Sequence, residues 1–321
     1  MKRSPNRNGG FFIDFLHIFS INEDTMLYRS SKQFIVLTLL PICIYLLLIF
    51  YYSFGYNIVL SLHKTNLLTE YEFVGLRNFK VLFSDPEFRI AIVNNLKYWF
   101  GLVCGGLVIS LIFSWLISLT SPTIKKILLF LFFTPVVTSM IASALVWQLL
   151  YYPDIGFFSS IAKALGFGSQ SFLSDPKIAL WCINVMEIWK ELGIRVAIFL
   201  AAMEEIPDSI YEAADLDGAS EVRKFFRITL PLLRPQILFI IVIFSINALK
   251  VFSQVYMMTP PPGGGPGNST KVLNLMLYQQ SFRTLKFGYG ASISMVIFFV
   301  LFIFVLFEIK IITRKEKRVE Y

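Results

Sequence analysis

The sequence predicts an all-α membrane fold of six crossing helices, and three observations carry that prediction. The 321 residues are 56% apolar and only 16% charged, a balance unlike that of ordinary soluble domains. Four stretches, 33–63, 98–124, 127–153 and 287–307, contain no Asp, Glu, Lys or Arg. Each exceeds the roughly 20 residues that a helix needs to cross a hydrocarbon core. Two further apolar segments, about 178–203 and 236–258, are interrupted by isolated charges. Helices satisfy their own backbone groups, as lipid requires.

Taken in order, residues 1–33 form a polar N-terminal segment. In it Phe11, Phe12, Phe15, Leu16, Ile18 and Phe19 recur near helical spacing. They fit either an interfacial helix or a piece packed on the bundle. Residues 34–312 hold the spans, and 313–321 a tail. Span one covers about 34–60, with Pro41 a site for a kink. Span two covers about 93–119 and span three about 126–150, joined by a tight turn at Pro122. Span four, about 178–203, is followed by a charged insert, 204–234. Span five then runs over about 236–258 and span six over about 289–312. Lys and Arg set the orientation. With the N-terminus inside, sixteen fall on the cytoplasmic pieces and ten on the outer loops. Both termini and the insert are therefore expected in the cytoplasm.

The net charge of +8 follows from this topology, and no basic patch with interleaved aromatics points to nucleic acid. Cys43, Cys104 and Cys182 lie singly in apolar spans, and His17 and His63 are far apart, so no metal site is expected. The Pro260–Gly267 stretch lacks the Lys of a phosphate-binding loop, and no strand precedes it. No nucleophile–base pair appears at a catalytic spacing, so the chain is not expected to be an enzyme.

The insert reads as helix, break, helix. Pro207 closes span four, and Ser209 with Glu212 makes a capping box. Ile210, Ala213, Ala214 and Leu216 belong to the first helix. Gly218 can take positive φ. Ser220 caps a second helix with the apolar stripe Val222, Phe225 and Phe226, and Pro231 and Pro235 end it. Small alanines and exposed apolar residues on a short helix suit docking into a groove.

The insert also carries Glu212-Ala213-Ala214, three residues, Gly218, nine residues, then Ile228-Thr229-Leu230-Pro231. This spacing resembles the EAA loop of permease subunits of binding-protein-dependent ABC importers. The outer loops add Phe73-Val74-Gly75-Leu76-Arg77-Asn78-Phe79, Asp85-Pro86-Glu87-Phe88 and Tyr152-Pro153-Asp154-Ile155-Gly156. Span six opens with Gly288-Tyr289-Gly290-Ala291-Ser292. Together these are similar to the carbohydrate branch, the maltose and glycerol-phosphate permease type, over nearly all of 34–312. The resemblance implies a coupling role for Glu212, Ala213, Ala214, Asp217, Gly218, Ile228, Leu230 and Pro231. It also implies the partners: a second homologous permease, two copies of an ABC ATPase and an extracytoplasmic solute-binding protein. The chain itself needs no cofactor, since ATP and Mg would bind the ATPase subunits. The setting is the bacterial inner membrane.

Charges inside spans are costly and face a wet cavity or a partner. Span four carries Glu187, Lys190, Glu191 and Arg195; span five carries Asn247, Lys250 and Gln254. Glu187–Lys190 and Glu191–Arg195 can pair on the helix surface. Lys250 shares a face with Asn247 and with Gln254. In the maltose-type relatives polar residues of these spans touch the sugar. The resemblance therefore implies a pathway lined by Glu187, Trp189, Lys190, Glu191, Asn247, Lys250 and Gln254. Its charge departs from a neutral-sugar set and fits an anionic solute of the oligo-uronate kind. The competing reading of these residues is salt bridges that hold helices together. The competing function is a self-sufficient secondary transporter or channel, which would have no need of an ATPase socket.

Overall fold

A computed structural model describes residues 27–68, 71–168, 170–261 and 263–316. The Phe-rich stretch 11–19 and the end of the tail lie outside the described residues. The chain divides into two units, one reaching Tyr56 and one starting at Asn57. Helix α1, Leu27–Ser61, is continuous through Pro41. Its most apolar window buries no residue, as suits a helix that is apolar all round and meant for lipid.

The second unit opens with a two-stranded ribbon, a small departure from an all-helical chain. β1 (His63–Thr65) pairs antiparallel with β2 (Tyr71–Phe73), His63 opposite Phe73. Asn78 fixes the ribbon by donating to the Ser61 and His63 carbonyls at 2.8 and 3.0 Å. After α2 (Arg77–Ser84), helix α3 spans Pro86–Ser118. It starts seven residues before the expected span because Asp85 caps it, accepting from the Glu87 amide at 2.8 Å. Pro86 stands at the first turn, where its missing N–H costs nothing. Within α3, Gly101–Gly105 form a π-turn.

The third expected span is two helices. α4 (Pro122–Phe133) stops and α5 (Met140–Leu150) begins after a non-helical stretch, 134–139. Pro135 lies in the gap and cannot donate its ring nitrogen to the preceding turn. After α6 (Phe157–Ala164), α7 (Ala179–Glu204) is a straight run of 26 residues. The insert forms α8 (Asp208–Leu216) and α9 (Glu221–Leu232). α9 meets α10 (Arg234–Leu249) at a 66° bend. The fifth expected span also breaks: α10 ends before Lys250, and α11 (Ser253–Met258) resumes. The expectation that Pro231 and Pro235 end the second helix of the insert is met at Pro231, since α9 stops one residue later at Leu232. Pro235 instead stands in the first turn of α10, the position that tolerates proline. α12 (Leu273–Tyr278) and α13 (Phe287–Glu316) close the chain.

Among the described residues, three helical stretches are individually long and apolar enough to cross a membrane: Leu37–Ser61, Pro86–Ser118 and Phe287–Glu308. The bent pair α9–α10 adds a fourth if counted as one. α7 is long enough but carries charge, and the remaining expected spans are half-helices. α7 is the centre of the second unit. Its Ile183, Met186 and Phe199 are buried with Tyr98 and Leu102 of α3, Phe244 of α10 and Val255 of α11. Leu192, Val196 and Leu200 pack on Ile117. A separate cluster joins Leu82, Phe88 and Ala91 to Met276 and Ile293.

α4 lies so close to α7 that a Cβ on Gly193 would fall on the Phe132 carbonyl. Gly193→Ala is therefore expected to destabilise the fold by about 1–3 kcal/mol. This would be read as a lower melting temperature of the detergent-solubilised protein. Gly55→Ala, where nothing lies within 4 Å, should leave it unchanged.

Candidate functional site

The insert is a helical hairpin. Gly218 has φ +71° with open space around its Cβ position, so glycine serves the backbone there and not packing. Ser220 caps α9, accepting from the Arg223 amide at 3.4 Å. The expected Ser209–Glu212 capping box is absent. α8 begins at Asp208, with Pro207 before it and no side-chain cap. The chain enters the helix two residues early, with Pro207 and not Ser209 at the cap position, so Ser209 is already inside it. Glu212, Ala213 and Asp217 are exposed, whereas Ala214 is buried against the hairpin's own body. Of the expected stripe, Phe225 is buried and stacks on Trp115 at 5.1 Å. Leu216 at 91%, Phe226 at 61% and Val222 at 52% remain exposed. Ile228 and Leu230 sit where a π-turn, Phe225–Thr229, passes into the last turn before Pro231.

Glu187, Lys190, Glu191 and Arg195 of α7 are used within this chain. Lys190 is 6% exposed. Its Nζ donates to the Thr138 carbonyl at 2.6 Å and the Pro135 carbonyl at 3.0 Å, with Thr138 Oγ1 at 3.3 Å. These are groups of the broken stretch 134–139. The ammonium thus occupies the C-terminal end of α4, where freed carbonyls and the helix dipole both favour a cation. The expected Glu187–Lys190 pair does not form, because Lys190 is drawn to these acceptors.

Glu187, 2% exposed, instead accepts from Tyr98 Oη of α3 and Gln254 Nε2 of α11. The Glu191–Arg195 pair does form, at 3.1 Å. Arg195 is fully buried. It donates from Nη1 to the Leu102 carbonyl at 2.9 Å, inside the π-turn of α3. Its guanidinium carbon lies 3.7 Å from the Phe244 ring centre, a cation–π distance. A Cβ on Gly106 would fall on Nη1.

The remaining pathway candidates point elsewhere. Asn247 and Lys250 are exposed, and Gln254 is buried. Lys250 and Gln254 therefore do not share a face, because the helix breaks between them. Phe239, Ile243, Asn247 and Lys250 form one exposed stripe along α10, apolar at its start and polar at its end. Trp189 is 39% exposed and stacks near Trp147 at 5.3 Å. Sequence reasoning missed a chain joining three helices. Trp99 Nε1 donates to Ser245 Oγ, which donates to Glu308 Oε1, each at 2.8 Å. Glu308 had served only to mark the end of an uncharged run; an acid lodged inside so apolar a helix was the signal available. Asn184 is buried with neither side-chain polar atom paired. Among the described residues no group of three or more His, Cys, Asp or Glu could hold a metal.

Residues 106–312 match the family model described as the binding-protein-dependent transport system inner membrane component. The chain belongs to this family. The same conclusion follows from a probable ABC transporter permease, YurN of Bacillus subtilis. It is 32% identical over 90% of this chain and 99% of its own length. SmoG of Agrobacterium fabrum, a sulfoquinovosyl glycerol transport system permease, is 33% identical over 84% of this chain and 87% of its own. A crystal structure of a bacterial ABC transporter for import of the acidic polysaccharide alginate shares the fold. There the TM-score is 0.78 at 22% identity, over 90% of this chain and 98% of that one. The protein is a membrane-embedded permease of the sugar ABC type, a transport subunit and not an enzyme. The secondary-transporter reading falls with that assignment.

Lys190→Met would take the ammonium from the Thr138 carbonyl and leave the Pro135 carbonyl to Thr138 alone, at a cost of about 1–3 kcal/mol for a buried group that loses its partner. The variant should melt at lower temperature, and amides of 134–143 should exchange hydrogen faster. Unchanged exchange there would show that the ammonium does not hold the break.

Proposed function

We propose that this permease forms half of the translocation pathway of an ATP-driven importer for a carbohydrate or sugar-like solute. It crosses the inner membrane six times, with both termini in the cytoplasm. An extracytoplasmic solute-binding protein delivers the solute, and a second homologous permease completes the pathway. Two copies of a separate ATPase, binding ATP and Mg, drive it. The observation that carries this reading is the hairpin. It holds Leu216, Val222 and Phe226 out to solvent around a turn specified by Gly218, an apolar tip suited to insertion into a groove.

Within the pathway we assign contact roles to the exposed Asn247, Lys250 and Trp189. Glu187, Lys190, Glu191 and Gln254 act behind them, holding the helices. The solute is an anionic oligosaccharide. Two observations support this: Lys250 is exposed at the break of α10, and no ion pair reaches it among the described residues. An ammonium at membrane depth needs water or a counter-charge, and an acidic sugar passing by supplies the latter. The shared fold with an alginate importer fits this reading. The test of the whole assignment is ATP hydrolysis by the purified complex, stimulated by its binding protein, across neutral and acidic oligosaccharides. No stimulation by any acidic member would remove the anion assignment.

Gly218→Val should abolish uptake while the protein still inserts, since the left-handed conformation costs a β-branched residue about 1–2 kcal/mol or more. Gly218→Asn should retain most activity, because Asn tolerates that region. Lys250→Met should reduce uptake of an acidic oligosaccharide by about tenfold, the loss of one charge contact of roughly 1.4 kcal/mol. Uptake of a neutral analogue should change little. Equal losses in proteoliposomes would assign Lys250 to structure.

A further inference from the structure

The hairpin carries contacts that its recognition pattern does not contain. Lys224 lies in the first turn of α9, yet only 6% of it is exposed. Its Nζ is 2.8 Å from Asp215 Oδ1, near the end of α8, and 2.5 Å from Glu221 Oε1 on its own helix. Hydrogen bonds to Asp215 and then Glu221 raise its pKa above the ordinary lysine value, so it stays charged. Farther from the tip, Tyr211 Oη of α8 meets Thr229 Oγ1 of α9 at 2.9 Å. The two arms are therefore tied at two heights.

Two ties do what one cannot. A single contact leaves the arms free to scissor about the Asp217–Ser220 turn, where Gly218 is the permissive joint. Two contacts at different distances from that joint fix the angle. The surroundings make the angle matter. α8 carries exposed Glu212, Ala213 and Leu216. α9 is anchored by Phe225 on Trp115 and leads through the 66° bend into α10. A cleft of about 310 Å³ separates the hairpin from the ends of α3 and α7, so packing beneath α8 is incomplete. The cross-ties give a push on α8 a route to α9 and α10 that does not pass through the Gly218 turn.

We propose that Asp215 and Lys224, seconded by Tyr211 and Thr229, are positioning residues that make the hairpin a rigid lever between the ATPase and α10. This rests on the docking role given to the hairpin above. The ties contact neither nucleotide nor solute; they act through α8 and α9. Asp215 is 59% exposed in its side chain, so its carboxylate meets water when the tie is lost and folding loses little. Removing it should therefore spare assembly and impair transmission.

The test uses the assembled complex of both permeases and ATPases, with Mg-ATP and vanadate as the probe. Three quantities are read: ATPase retained on purification, ATP hydrolysis, and the nucleotide-induced change in hydrogen exchange of α10. Lys224→Gln and Asp215→Asn should keep ATPase binding and hydrolysis within about twofold, since the carboxylates of Asp215 and Glu221 lie open to water. The change in α10 should fall by about fivefold or more, and Tyr211→Phe added to either should lower it further. The charge exchange, Asp215→Lys with Lys224→Asp, made together with Glu221→Gln so that the new carboxylate does not face Glu221, should restore most of the response. Parent-like transmission in both single variants would overturn the proposal, and so would an exchange that recovers nothing. A parent complex that retains no ATPase would overturn the docking role itself, and the lever with it. That outcome is separable because it appears before any substitution is made.

Discussion

Backbone carbonyls at membrane depth must find donors, and this fold meets that need with the side chains of a single helix. α7 sends Lys190 to the carbonyls at the end of α4 and Arg195 to the Leu102 carbonyl in the π-turn of α3. Irregular backbone survives inside a bilayer only where protein or water satisfies it. The broken third span and the π-turn of the second are both packed on α7, whose Lys190 bonds to the one and Arg195 to the other. The acids of α7 complete the arrangement. Glu191 balances Arg195, and Glu187 draws Tyr98 and Gln254 toward the same axis. Burying these charges is costly unless they are well bonded. Each is bonded to a group on a neighbouring helix or on the broken stretch, or to the opposite charge one turn away.

Much of the architecture was legible because it is local. Apolar run lengths located the helices, and the Gly218 turn and Ser220 cap followed from residue type and spacing. The Glu191–Arg195 pair was readable for the same reason: four residues apart on a helix are neighbours. The breaks were not legible. Residues 127–153 are uncharged throughout, so composition cannot distinguish one helix from two, and Pro135 marks only where a break is permitted. The partner of Lys190 was hidden too. Local spacing favoured Glu187 three residues away, and the true acceptors lie more than fifty residues back in the chain. Likewise, the depth of Gln254 depended on a break at Lys250 that hydropathy does not record.

This division sorts the polar residues by what they face. Glu187, Lys190, Glu191 and Arg195 of α7 are consumed within the chain, while Asn247, Lys250 and part of Trp189 look out from it. A permease can therefore hold its frame with one set and meet its surroundings with another. The hairpin repeats the pattern on a smaller scale. Ala214, Phe225 and Lys224 are turned inward to fix its shape, and Leu216, Val222 and Phe226 are left free.

The bare Cα at Gly106 has a consequence for how such a chain can drift over time. Its missing side chain is the slot through which the Arg195 guanidinium reaches Leu102. A larger residue at position 106 would have to push the Arg195 guanidinium away from the Leu102 carbonyl. A shorter residue at 195 would leave Glu191 without its ion pair. Neither position can change first without loss, so lineages descending from this sequence should keep the two together or replace them as a pair. A helix packing detail thereby becomes an inherited linkage between sites 89 residues apart.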